Sequence, residues 1–372
     1  MLQPERLRRR SIASNGEDIL AFDSLSLWLN GGIFAASAVI VWLAGSRLAV
    51  YVDGIAGRTG IGQAFTGMLL LGGITSLPEI ATVTTASWTG NAPLAVNNLL
   101  GSASINILLL AIADAVLGRN ALTSVIGKPA TLLQGTLGMM LLAAVAAVVL
   151  ARDVPVAGVG LGSTVLIVLC FASLWLSSGY ERRHVWTAID DEPDTGNVPG
   201  DDEQSESQGQ EQSLRALVIK TIIVGVVILG AGFLLSQTGD AIAKQTGLGA
   251  SLVGLVLVGF ATSLPELSSI IAAVRIRRYE MAVGDIFGTN LFNIALIFLA
   301  DLAYPGGPVL AQAGAFEAVA ALVGLILTGI FVIGLLERKD RTVARMGYDS
   351  LAAIVLYVAG LVVLYVLDQR SG

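Results

Sequence analysis

Charge is what this 372-residue sequence has least of: 13% of its residues are Asp, Glu, Lys or Arg, about half the share of an ordinary soluble domain. Sulfur and imidazole are scarcer still. The single cysteine, Cys170, lies inside an apolar run, which excludes a disulfide framework and a thiolate metal cluster. The single histidine, His184, cannot build a His-rich metal or redox centre. Behind the basic N-terminal residues Arg6, Arg8, Arg9 and Arg10 come polar and acidic residues, not an apolar h-region, so no signal peptide is read there. A nucleotide-binding loop is absent too, so ATP is not expected to drive whatever the chain does.

Hydrophobic residues supply the remainder, at 54%. They come in runs such as Leu132 to Leu150, Leu217 to Leu235 and Ala318 to Leu336, each free of acidic residues. A hydrocarbon core about 30 Å thick needs roughly 20 such residues per helix. The fold class expected is therefore an all-α polytopic membrane protein. Ten transmembrane spans are read, at about 25–50, 61–87, 93–117, 128–150, 156–178, 214–236, 247–273, 280–303, 309–335 and 348–368.

The domains follow from these spans. An N-terminal tail, 1–24, precedes a first five-helix unit, 25–178, and a second unit covers 214–368. Between them, 179–213 is a linker with nine acids and no lysine or arginine from Ile189 to Gln212, a composition expected to remain disordered. With that linker cytoplasmic, fifteen of the 22 basic residues fall on the inner side. The lysine and arginine bias then puts both termini outside, in a plasma or inner membrane.

The chain also repeats itself. Shifted by 187 residues, Gly60–Asp114 overlays Gly247–Asp301 without a gap, with 19 of 55 positions identical. Gly45 and Asp53 fall on Gly232 and Asp240 by the same shift. Five spans per unit is an odd number, so the second copy enters the bilayer from the opposite side. Two inverted five-helix repeats are expected, a construction common in secondary transporters with sites near mid-membrane.

The strongest identity is Thr75-Ser76-Leu77-Pro78-Glu79 against Thr262-Ser263-Leu264-Pro265-Glu266. An acidic residue at a helix centre costs about 2.5–3.5 kcal/mol on the insertion scale, and a mid-helix proline roughly 3 kcal/mol in water. Both costs recur at matched positions. Each proline frees a carbonyl four residues back, on Ile74 and Ala261, and the Thr, Ser and Glu add hydroxyls and a carboxylate. Gly72, Gly73 and Gly259 allow another backbone to approach. Oxygen-only ligands of this kind suit hard cations such as calcium or sodium.

Nineteen residues on, Asn97-Asn98-Leu-Leu-Gly101-Ser102 matches Gly284-Asp285-Ile-Phe-Gly288-Thr289. Asp285 brings a third carboxylate to membrane depth opposite neutral Asn98. Asn106 and Asn293 also match and are read first as interhelical hydrogen bonders, ligation being the alternative. Asp114 and Asp301, near span ends, are expected to meet water.

Paired in this way, the motifs resemble the α-repeats of the sodium/calcium exchangers, in the cation/calcium exchanger superfamily. The resemblance covers 60–114 and 247–301 together with the five-plus-five layout. It implies Glu79 and Glu266 as central ligands, with Thr75, Ser76, Thr262 and Ser263 in support and Asn98 and Asp285 flanking. The chain departs from the usual pattern at Ile74 and Ala261, where the family has glycine, and at Asn97 and Ala103. What the resemblance implies is a carrier with no enzymatic step: an antiporter exchanging calcium for sodium by alternating access, the first span of each half sliding as a gate. A calcium/proton exchanger using the same glutamates, or a cation channel, are the alternatives. The expected partners are calcium and sodium ions and the lipid bilayer, with no cofactor, nucleic acid or obligatory protein partner.

Overall fold

The computed structural model describes residues 22–59, 76–117, 122–124, 129–156, 158–181, 213–275, 279–337, 342–343 and 346–371. Eleven helices run through them: α1 (Leu27–Thr59), α2 (Leu77–Trp88), α3 (Ala92–Leu117), α4 (Pro129–Ala151), α5 (Leu161–Glu181), α6 (Leu214–Thr246), α7 (Ala250–Thr262), α8 (Leu264–Arg275), α9 (Tyr279–Ala303), α10 (Ala315–Glu337) and α11 (Tyr348–Ser371). Seven of these are long and apolar enough to cross a membrane, and α7 with α8 together are apolar enough to form either one bent span or a re-entrant loop. The apolar part of α5, Leu161–Ser177, is shorter. The acidic linker and Thr75 lie outside the described residues, apart from the linker's two ends.

The 187-residue shift governs far more of the chain than the sequence identities suggest. Leu27 and Leu214 start α1 and α6, and Thr59 and Thr246 end them. Leu77 and Leu264 start α2 and α8, while Leu161 and Tyr348 start α5 and α11. Two small hairpins obey it as well. β1 (Pro155–Val156) pairs with β2 (Val159–Gly160), and β3 (Thr342–Val343) pairs with β4 (Met346–Gly347). These hairpins correct the sequence reading of a span beginning at 156, because the helix begins only at Leu161.

A second correction concerns the prolines. Among the described residues they stand in the first turn of helices, α2 and α8, and not in mid-helix. In a first turn the missing N–H has no helical partner to lose. Ser76 is the N-cap residue of α2, and at Ser263, between α7 and α8, the helix breaks and the axis bends by 42°. Five residues before that break, Gly254–Val258 form a π-turn, a feature found mostly as single turns in helices at functional sites.

Packing is reciprocal between the halves. The 33-residue helices α1 and α6 lie side by side at one flank, each about 50 Å long at 1.5 Å per residue. α2 packs on α6, and α8 on α1, so each half's motif helix rests on the other half's long helix. The buried centre is α3 and α9, which cross one another and touch α4, α5, α10 and α11. Ile222, Val226 and Leu43 on the long helices face outward, where hydrocarbon is their natural solvent.

Asp114 and Asp301 do not meet water. Both are buried, and they act as matched clasps between the halves. Asp114 accepts from Leu122 N of its own half (2.6 Å) and from Gly347 N of the other (2.6 Å). Asp301 accepts from Val309 N at 2.6 Å, from Gly160 N and from Ser163 Oγ at 2.6 Å. A carboxylate buried with two or three donors is satisfied, so these residues fasten core helices to the opposite hairpins.

Candidate functional site

The two helix starts place Glu79 and Glu266 in the first turns of α2 and α8. Helix N-termini carry a partial positive charge, which eases an acidic group in a first turn. Both glutamates are fully buried, at 0% exposure. Among the described residues, none of their four carboxylate oxygens finds a hydrogen-bond partner, and neither glutamate takes part in an ion pair. Leaving such groups unpaired costs about 1–3 kcal/mol each, and more when charged. Glu266 has Glu79 and Asp285 as its charged neighbours, while Thr262 and Ser102 face Glu79.

The serines at these helix starts complete this centre. Backbone carbonyls of Ser76 and Ser263 accept from Ile80 N and Leu267 N, closing the first helical bonds. Their hydroxyls are buried and have no partner among the described residues. Close approach comes from glycine: a Cβ on Gly259 would lie 3.0 Å from Ser102 N and 3.1 Å from Gly101 C. The same is true of Gly101, which lies against the Leu255 carbonyl of the π-turn.

The flanking pair is engaged elsewhere. Asn98 Nδ2 donates to Thr82 Oγ1 at 2.6 Å, and Asn98 Oδ1 accepts from Thr262 Oγ1 at 3.2 Å. Ser269 Oγ donates to Asp285 Oδ2 at 3.0 Å. Among the described residues no three His, Cys, Asp or Glu side chains converge on one point. Asp285 thus stands beside the glutamate pair and not within it.

Sequence reasoning missed Thr82 and Ser269, although the 187-residue shift relates them and each lies three residues after a glutamate, on the same helical face. It read both asparagines first as interhelical hydrogen bonders. Asn106 does bridge helices, donating from Nδ2 to Asn290 Oδ1 at 2.8 Å, but its Oδ1 is unpartnered. Among the described residues neither polar atom of Asn293 has a partner, and Thr289 Oγ1 has none either. Buried amides and hydroxyls left open in this way call for an explanation, and ligation is the alternative reading that would supply one.

Two glycines seat the long helices on this centre. A Cβ on Gly45 of α1 would come within 2.6 Å of Pro265 Cγ, and one on Gly232 of α6 would strike Ala81 Cβ and lie 3.3 Å from Pro78 O. Each long helix therefore runs directly over the helix start that carries the other half's glutamate.

Known proteins resemble this chain in sequence and in fold. The inner membrane protein YrbG of Escherichia coli (strain K12) is 29% identical over 272 residues, covering 69% of this chain and 75% of YrbG. The structure of the sodium-calcium exchanger NCX_Mj, soaked with sodium and strontium, shares the fold with a TM-score of 0.58 at 18% identity, over 91% of this chain and 99% of that one. The H+/Ca2+ exchanger CAX does so with a TM-score of 0.65 at 15% identity, over 99% of this chain and 94% of that one. The family described as Sodium/calcium exchanger protein matches residues 29–188 and 217–366, most of both halves. With paired motifs, a shared fold and matches to both repeats, the chain belongs to the sodium/calcium exchanger protein family.

Proposed function

We propose that the chain is a secondary-active antiporter exchanging Ca2+ for Na+ by alternating access. Ten membrane crossings would form two inverted five-helix repeats, with both termini outside and the 179–213 linker in the cytoplasm. The observation that carries the reading is the unpartnered pair Glu79 and Glu266, buried without a neutralising base among the described residues. Two carboxylates in such a place call for two positive charges, which one calcium or two sodium ions supply. The open hydroxyls of Ser76 and Ser263, the hydroxyl of Thr262 and that of Thr75 would replace part of the ion's hydration shell. Asn98 and Asp285 would flank it, and Thr289, Asn106 and Asn293 extend the oxygen set. The long helices α1 and α6, seated by Gly45 and Gly232, would slide over this fixed centre to open it to either side.

Protons are the second reading, favoured by the same unneutralised glutamates, since two protons would satisfy them as two sodium ions do. Proteoliposomes loaded with sodium, or made acidic inside, separate the two. Calcium-45 uptake is expected to follow an outward sodium gradient at fixed pH and to be indifferent to a proton gradient at fixed sodium. The opposite pattern would assign protons as the counter-ion.

A further inference from the structure

Thr82 and Asn98 lie outside the glutamate pair, yet both are buried and bound to each other. Proton count fixes the direction of these bonds. Thr82 has one hydroxyl proton, and its Oγ1 lies 3.0 Å from Pro78 O and 3.1 Å from Glu79 O, one turn back on α2. With the proton on that backbone, Oγ1 is left as an acceptor, and Asn98 Nδ2 meets it at 2.6 Å. The amide oxygen must then face the second half, where Thr262 donates to it at 3.2 Å. Ser102 Oγ completes the chain, 3.1 Å from Thr262 Oγ1 and 3.3 Å from Gly259 O.

The second half reaches the same end by charge. Asp285 occupies the place of Asn98 and accepts hydrogen bonds from either oxygen, so no rotation can make it present a donor. Its partner Ser269, which matches Thr82, also lies 3.0 Å from the backbone carbonyl of Glu266, but a carboxylate brings no proton to the contact, so Ser269 donates to Oδ2 at 3.0 Å where Thr82 accepts. The direction of the bond reverses with the residue.

We infer that Thr82 is a positioning residue. It locks the Asn98 amide so that the oxygen, not the NH2, faces Thr262, giving the Thr262 proton an acceptor away from Glu79 when a cation binds. The inference rests on the cation reading of Glu79 and Glu266. A hydroxyl that coordinates a cation must turn a lone pair toward it, so its proton needs another acceptor. With the amide reversed, Nδ2 would face Thr262, and the only backbone acceptor left to that proton away from the cation would be Gly259 O, 3.3 Å away and shared with Ser102 Oγ.

The test is half-saturating calcium for calcium-45 uptake into proteoliposomes. Thr82→Val, similar in shape but unable to accept, is expected to raise it about tenfold, the order of one lost buried hydrogen bond. Thr82→Ser should stay within about twofold of wild type, because it keeps the acceptor. In an Asn98→Asp background Thr82→Val should add no further loss, since a carboxylate has no wrong orientation. An equal loss in both backgrounds, or a serine variant that behaves like the valine one, would overturn the assignment. If Asn98→Asp does not transport, the serine and valine comparison decides alone, and Thr82→Ala replaces a valine variant that fails to insert. Absence of calcium uptake by the wild-type protein would instead overturn the calcium reading, before any variant is compared.

Discussion

Glu79→Gln and Glu266→Gln are each expected to lower calcium flux by about a hundredfold or more, because losing one partner of a buried charge pair costs on the order of 2–5 kcal/mol. The amide keeps the volume of the side chain, so packing around the helix start is preserved. It also removes a charge that has no partner among the described residues. Without calcium, the purified variants should therefore melt at or above the wild-type temperature, since an uncompensated buried charge opposes folding. The two readouts move apart: function falls while stability holds or rises. Variants that lose flux only because they unfold would not support the site. Near-normal flux in either one would remove that glutamate from it.

The second large effect concerns the long helices. Gly45→Val and Gly232→Val are expected to slow transport about tenfold or more while leaving calcium binding close to wild type. Valine at either place would have to occupy space held by Pro265, or by Ala81 and Pro78 O. Overpacking of this sort costs about 1–3 kcal/mol, and it falls on the surface over which the gate is proposed to slide. The carboxylates themselves are untouched, so a calcium-induced rise in melting temperature should persist. Wild-type turnover in both variants would show that these contacts are not part of the moving surface. Loss of calcium binding together with flux would show that the glycines shape the site itself.

Much of this architecture was legible in the sequence, for identifiable reasons. Apolar runs report helices wherever lipid demands them, and the matched Thr-Ser-Leu-Pro-Glu segments report where α2 and α8 begin. The repeat was visible where polar identities survive, from Gly60 to Asp114 and at the isolated matches of Gly45 and Asp53. Elsewhere its apolar residues are interchangeable, and only the backbone reveals that Leu27 and Leu214 or the two hairpins correspond. The hairpins were hidden because Val154 to Gly160 is short and apolar, and reads as the start of a span. Asp114 and Asp301 were misplaced because position near a span end says nothing about a donor arriving from the other half, such as Gly347 N or Gly160 N. For the site, glutamates stand out by the cost of burying them. Thr82 and Ser269 do not, since hydroxyls are common in membrane helices and their worth lies in the direction of a bond. Asn293 could be weighed only once its amide was seen to lack a partner among the described residues.

The central claim is that one buried carboxylate pair exchanges its ion for another and never opens a continuous path. Calcium-45 uptake into proteoliposomes loaded with unlabelled calcium, with no other gradient, tests it most directly. An exchanger should accumulate label well above the outside concentration until the internal pool is diluted, and Glu79→Gln should abolish this. Label that merely equilibrates, at a rate independent of what the vesicles contain, would contradict the account and identify a channel.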